Sequence, residues 1–250
     1  MKKIHAVLFD MDDTLLDWSG VTLSMGEMIR PHVEGIYRYL ANAGWPVPEF
    51  DLFMDSYRQT IKQCWREAKE DFSAVHFASA LQRMFCQLSL DVPDHLMPDI
   101  LQAFDWQPFP GVTPFADSFQ VLETLKSAGY KLGIITNAMY PMWMRDIELR
   151  LYGLIDYFPV RVSSGDCGYM KPHPAIYYHA LTQLAVEPET AVFVGDRPEN
   201  DIAGANAVGM ISVQMAPPYL NRPNPNQITA HHTITQLTEL LPILAALEQN

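Results

Sequence analysis

Two hydrophobic periods divide this chain. The four-residue run AVLF, Ala6 to Phe9, has the length and aliphatic character of a strand buried on both faces. Beyond it the apolar positions recur every three or four residues. Met28, Val33, Ile36, Tyr37 and Leu40 predict a helix over 27–43 that stops at Asn42-Ala43-Gly44. Similar stripes predict helices over 50–69, 73–88 and 93–104, separated by WPVP, KEDF and SLDVP. No strand pattern interrupts residues 18–104, which read as an all-helical insertion.

From Phe109 helix and strand alternate: helix 114–128, strand 131–136, helix 142–151, strand 160–163, helix 174–184, strand 191–195, helix 198–207, strand 211–214 and a last helix 236–247. Such alternation builds right-handed crossovers and a doubly wound, mostly parallel α/β sheet. The expected organisation is a core of residues 1–17 and 105–250 interrupted by the helical residues 18–104. Ligands of such sheets bind beyond the carboxyl ends of the strands, so the residues just after each strand matter most.

Composition narrows the function classes. Among 250 residues, 48% are hydrophobic and 18% charged, which is ordinary for a globular protein. A net charge of -12, with no Lys/Arg-rich run, opposes nucleic acid as a partner. No apolar run approaches the ~20 residues of a membrane span, and the start of the chain lacks the apolar segment of a signal peptide. Cys64, Cys86 and Cys167 stand far apart with no zinc-ligand spacing, and are expected to be buried free thiols in a reducing, cytoplasmic setting.

The first strand delivers DMDDT, Asp10 to Thr14, into the following loop. Residues two apart on extended backbone share a side, so Asp10 and Asp12 converge. Two unit charges about 4 Å apart repel by roughly 4 kcal/mol at an effective dielectric near 20, which a cation or a lysine must relieve. The other strand exits carry Thr136-Asn137 and Gly195-Asp196, and Lys171 precedes Pro172 in a loop. Taken in order, DMDDT, ITN, KPHP and GDRPEND resemble the motifs of the haloacid dehalogenase-like superfamily of phosphotransferases, and the helical insertion falls where that family carries its cap.

The resemblance implies a magnesium-dependent phosphatase acting on a small phosphorylated metabolite. Asp10 is then the nucleophile that forms an aspartyl-phosphate, and Asp12 the general acid and base. Thr136 and the turn shaped by Asn137 hold the phosphoryl oxygens, while Lys171 pairs with both Asp10 and the phosphoryl group. Mg2+ is held by Asp10, the Asp12 carbonyl and Asp196. Asp201 belongs with the metal residues, acting through a water or by orienting Lys171; Glu199 is a weaker candidate. The dehalogenating branch lacks an aspartate at the position of Asp12. The alternatives are a sugar-phosphate mutase, a phosphonate hydrolase using Lys62 or Lys69, or a non-catalytic binding protein.

Trp18, Trp45, Tyr57, Arg58 and Trp65 in the cap region, and Met139, Tyr140, Pro141 and Trp143 after Thr136-Asn137, stand where substrate contact is conceivable, though packing is their commoner role. His231-His232 reads as a surface loop or strand edge, and APPYLNRPNPNQ as an exposed loop with no indicated function.

Overall fold

The structure, a computed structural model, describes residues 3–249; residues 1, 2 and 250 of the expected core lie outside the described residues. Six parallel strands form the main sheet in the order β5 (Val160–Ser163), β4 (Lys131–Thr136), β1 (Ala6–Phe9), β6 (Ala191–Gly195), β7 (Ile211–Met215) and β8 (His232–Ile234). Alternate residues of each central strand feed opposite faces. Val7, Phe9, Val192 and Val194 enter one apolar cluster, and Ala6, Leu8, Ala191 and Phe193 the other. Burial on both faces explains why these strands read as continuous apolar runs.

Helices α5 (Ser118–Ser127), α6 (Met142–Leu151) and α9 (Leu240–Gln249) supply residues to the first cluster, and α7 (Pro174–Leu184) and α8 (Ala203–Val208) to the second. Between the short strands β2 (Leu16–Asp17) and β3 (Thr113–Pro114) the chain is helical: α1 (Met25–Asn42), α2 (Phe50–Asp71), α3 (Phe77–Gln87) and α4 (Met97–Ala103). The start of α1 is fixed by a reciprocal cap in which the Ser24 side chain accepts from Glu27 N and Glu27 accepts from Ser24 N.

The departures from the sequence reading have local causes. Helix α3 begins four residues later than expected, because the chain at 72–74 runs alongside the loop 168–170. There Met170 N donates to Phe72 O at 2.9 Å and Ala74 N to Gly168 O at 3.0 Å. Phe77 N adds a bond of 3.1 Å to Met139 O. Helix α5 starts at Ser118 because Thr113 and Pro114 pair antiparallel with Asp17 and Leu16. The helix expected from Pro198 opens as a wide π-turn over Pro198–Ile202. Residues 231 and 232 do lie at a sheet edge, where β8 is too short to show a period.

All three cysteines are free, but none is fully buried: Cys64 and Cys167 are half-buried and Cys86 is exposed on the outer side of α3. Among the described residues no helix is long and apolar enough to cross a membrane.

Candidate active site

The order β4-β1-β6 makes β1 the switch point of the sheet, with crossovers leaving in both directions, and the sequence motifs gather there. Asp10 N still donates to Val194 O at 2.8 Å, so the ladder runs one residue past β1. The chain then turns through Asp13, which sits in the left-handed region at φ 58, a conformation that Asp tolerates better than most residues.

Lys171, 2% exposed, joins two carboxylates: its Nζ lies 2.6 Å from Asp10 Oδ1 and 2.6 Å from Asp201 Oδ1. Asn137 clamps the lysine's main chain, accepting from Lys171 N at 2.7 Å and donating to Lys171 O at 2.9 Å. The π-turn delivers Asp201, whose Oδ2 accepts from Arg197 N at 2.8 Å, and Tyr177 Oη braces that turn through Asn200 O at 2.8 Å. A β-carbon on Gly195 would fall 2.5 Å from Asp201 Cγ. Gly195→Ala is therefore expected to push Asp201 off its partners, costing about 1–3 kcal/mol. Denaturant unfolding checks the loss.

Asp196 is fully buried. Its Oδ2 takes the Nε of Arg222, while its Oδ1 has no hydrogen-bond partner. Arg222 also reaches Asp13 Oδ2 at 2.6 Å, and Tyr219 Oη donates to Asp13 Oδ1 at 3.1 Å. These two side chains come from the Pro- and Asn-rich loop, which is mostly exposed yet sends them to Asp13 and Asp196. Asp10, Asp196 and Asp201 each bring a carboxylate oxygen within 4.8 Å of the others. Three oxygen donors with one buried lone oxygen suit a hard divalent cation. The Asp12 carboxylate stands apart: its Oδ1 accepts from Arg145 Nη2 at 2.8 Å and Trp18 Nε1 at 3.1 Å.

Lys171 serves Asp10 and Asp201 while Arg222 is shared by Asp196 and Asp13, so negative charge is in excess. Burial pushes Asp10 up to about 6 against the pull of Lys171. Burial, reinforced by Asp10 and Asp201, pushes Asp196 up to about 8. Burial also works against the charge on Lys171, but Asp10 and Asp201 outweigh it and hold the ammonium above its ordinary value.

A carboxyl at 3.8 in the unfolded chain and about 8 when folded binds its proton more tightly folded, so this stability is present below pH 3.8 and is lost as pH climbs toward 8. Metal-free protein is expected to melt at least about 5 °C lower at pH 8 than at pH 5.5. Mg2+ should close that gap, which a thermal scan with and without chelator measures.

A polar cavity of about 630 Å³ opens over this cluster, lined by Asp10, Asp12, Thr136, Asn137, Lys171 and Asp201 among others. Glu199 also lines it, and its Oε1 accepts from Asn226 at 3.0 Å. Beside it lies a second cavity of about 490 Å³ with mainly apolar walls. Trp18, Tyr57, Arg58, Trp65, Met139 and Tyr140 all line that second space; Trp45, Pro141 and Trp143 do not. Arg145, 3% exposed and also bonded to Glu148 Oε1 at 3.2 Å, was not singled out from sequence; on α6 it reads as one more charge of an amphipathic helix.

A buried lysine between carboxylates at the switch point of a doubly wound sheet is the centre of an α/β enzyme. The model of the haloacid dehalogenase-like hydrolases matches residues 4–209, and the chain belongs to that family. Glyceraldehyde 3-phosphate phosphatase of Methanopyrus kandleri is 32% identical over 213 residues, covering 85% of this chain and 84% of its own. Its namesake from Pyrococcus furiosus is 31% identical over 247 residues, covering 98% and 94%. Among solved structures, a phosphatase of the family from Thermococcus onnurineus superposes with a TM-score of 0.61 at 26% identity, over 96% of this chain and 98% of its own. A 2-haloacid dehalogenase from Pseudomonas syringae does so with 0.67 at 26%, over 98% and 99%. The protein is an enzyme of that family, and the two relatives from Methanopyrus kandleri and Pyrococcus furiosus are phosphatases by name.

Proposed function

We propose that this enzyme is a magnesium-dependent phosphatase of the cytoplasm, hydrolysing a small phosphorylated metabolite through an aspartyl-phosphate on Asp10, with residues 18–104 as its cap. The observation that carries the reading is the pairing of Lys171 with Asp10 at 2.6 Å on the wall of a polar cavity, beside the unpartnered Asp196 Oδ1. Asp10 attacks phosphorus, and Lys171 offsets charge between the two anions that must approach. The Thr136 hydroxyl and the main-chain amides of the following turn hold the phosphoryl oxygens. Asp12 gives a proton to the leaving oxygen and later takes one from the water that cleaves the intermediate. Both hydrogen bonds to Asp12 fall on Oδ1, which leaves Oδ2 to handle that proton. Asp10, Asp196, Asp201 and the Asp12 carbonyl would hold Mg2+, which when bound screens the attack of an anion on an anion.

The dehalogenase likeness of the fold selects no chemistry, and Asp12 favours the phosphatase over that branch. Purified protein is expected to release inorganic phosphate from p-nitrophenyl phosphate and acetyl phosphate only with Mg2+. Glyceraldehyde 3-phosphate, which the relatives' name carries, belongs in the same screen. Return of an isomer without free phosphate would mark a mutase, and no release at all a binding protein. Asp12→Asn should lower kcat by about 10²–10⁴ with metal affinity unchanged, since its carboxylate faces Arg145. Loss of metal affinity with kcat intact at saturating Mg2+ would refute that role.

A further inference from the structure

The apolar cavity is not needed to hold phosphate, and its walls are unusual for a site that takes a short polar alcohol. Six of its lining residues are aromatic: Trp18, Tyr57, Trp65, Trp106, Phe109 and Tyr140. Several of these rings brace one another. Trp106 and Tyr140 lie 4.2 Å apart between centroids, Trp106 and Phe109 5.2 Å, and Trp18 and Phe109 5.9 Å. The space is thus held open by a packed wall. It joins the polar cavity directly, since Asp12, Trp65 and Asn137 line both.

The wall also carries donors that the protein leaves idle. Arg145 spends its two terminal nitrogens on Asp12 and Glu148, while its Nε is buried with no hydrogen-bond partner. The buried Tyr57 hydroxyl has no other hydrogen-bond partner and sits beside that of Tyr140 within the same lining. A buried N–H without an acceptor costs stability unless a ligand supplies one.

Resting on the phosphatase reading of the polar cavity, we propose that the preferred substrate is a phosphomonoester whose alcohol carries a flat heteroaromatic ring. The ring lies among the aromatic walls of the apolar cavity while the phosphate faces Asp10 and Lys171. Stacking against indole and phenol rings rewards a flat π-system, and ring nitrogens or oxygens give Arg145 Nε and the Tyr57 hydroxyl the acceptors they lack. A three-carbon alcohol leaves most of this space to water against apolar walls; a purely aliphatic tail fills it but strands the donors. Hydrolysis is the same step as before: the bond between phosphorus and the alcohol oxygen breaks, water's hydroxyl joins phosphorus, and the ring-bearing alcohol departs with a proton.

The test compares kcat/KM of the full-length protein in saturating Mg2+. Pyridoxal 5′-phosphate, a nucleoside 5′-monophosphate and flavin mononucleotide stand against glyceraldehyde 3-phosphate and farnesyl phosphate, with acetyl phosphate as the reference that carries no group for the second cavity. At least one ring-bearing ester is expected to exceed both the triose and the farnesyl ester by about tenfold or more. Trp65→Ala removes a wall and Ile61→Trp fills the space; each should lower the ratio of ring-bearing to acetyl phosphate turnover by about tenfold, mainly through KM. Glyceraldehyde 3-phosphate or farnesyl phosphate as the best substrate, or a ratio that neither variant moves, would overturn the proposal. Failure of acetyl phosphate itself would count against the phosphatase reading instead. Binding then decides the ring alone: at least one of the three ring-bearing esters should quench tryptophan fluorescence saturably in the parent protein and not in Ile61→Trp, and absence of quenching by all three in the parent overturns the assignment.

Discussion

Asp10→Asn is expected to abolish Mg2+-dependent phosphate release, lowering kcat by roughly 10⁴-fold or more, as loss of a nucleophile does in covalent catalysis. The amide keeps the volume of the carboxyl but is a poor nucleophile, and Asp10 is one of the two carboxylates that Lys171 touches on the cavity wall. The fold should survive. Burial already pushes the Asp10 carboxyl up to about 6, so exchanging it for a neutral group relieves crowding among three acidic side chains. A thermal midpoint equal to or above that of the parent, together with lost turnover, separates a chemical defect from an unfolded one. Retention of more than a tenth of the parent kcat would mean that phosphorus is attacked by something other than Asp10.

Lys171→Met is expected to give the largest loss of stability of any single change at the site. The lysine is 2% exposed and lies 2.6 Å from an oxygen of Asp10 and of Asp201. Removing one partner of a buried ion pair leaves uncompensated charge behind and typically costs about 3–5 kcal/mol. In a chain of this size that corresponds to a midpoint lower by about 10 °C at pH 8. The loss should shrink at pH 5.5, because the stranded Asp10 carboxyl, pushed up by burial, can then take a proton, and phosphate release should fall with it at every pH. An unchanged midpoint at pH 8 would show that Asp10 and Asp201 do not depend on this ammonium for their charge balance.

Much of this centre was legible in the sequence because its parts sit at strand exits, and the alternation of strand and helix says which exits share an edge of the sheet. Asp10, Thr136 and Asp196 follow from that rule, and Lys171 and Asp201 from the order of motifs. The polar cavity joins Asp10 to Lys171 across 161 positions. What escaped was any contact set by packing between elements that the pattern leaves unordered. Arg222 meets Asp13 across 209 positions from a loop whose Pro and Asn content signals only irregular backbone. Arg145 became the floor between Asp12 and Glu148 because α6 turns that residue inward, where the stripe of an amphipathic helix offers no distinction between a solvated charge and a buried one. Asn137 stands at the strand exit that the pattern marks, but the engagement of both ends of its amide by the lysine's peptide groups depends on a loop 34 residues away.

The three main-chain bonds from residues 72, 74 and 77 to residues 170, 168 and 139 bear on how ligands come and go. A flap joined to its base only at 18 and 104 would swing freely about one edge. Here the far rim is laced to the base as well, one of its stitches lying next to Lys171, so the helical layer behaves as a canopy pegged on two sides. Lifting it wholesale would mean unpicking those bonds, one of them at the residue before Lys171.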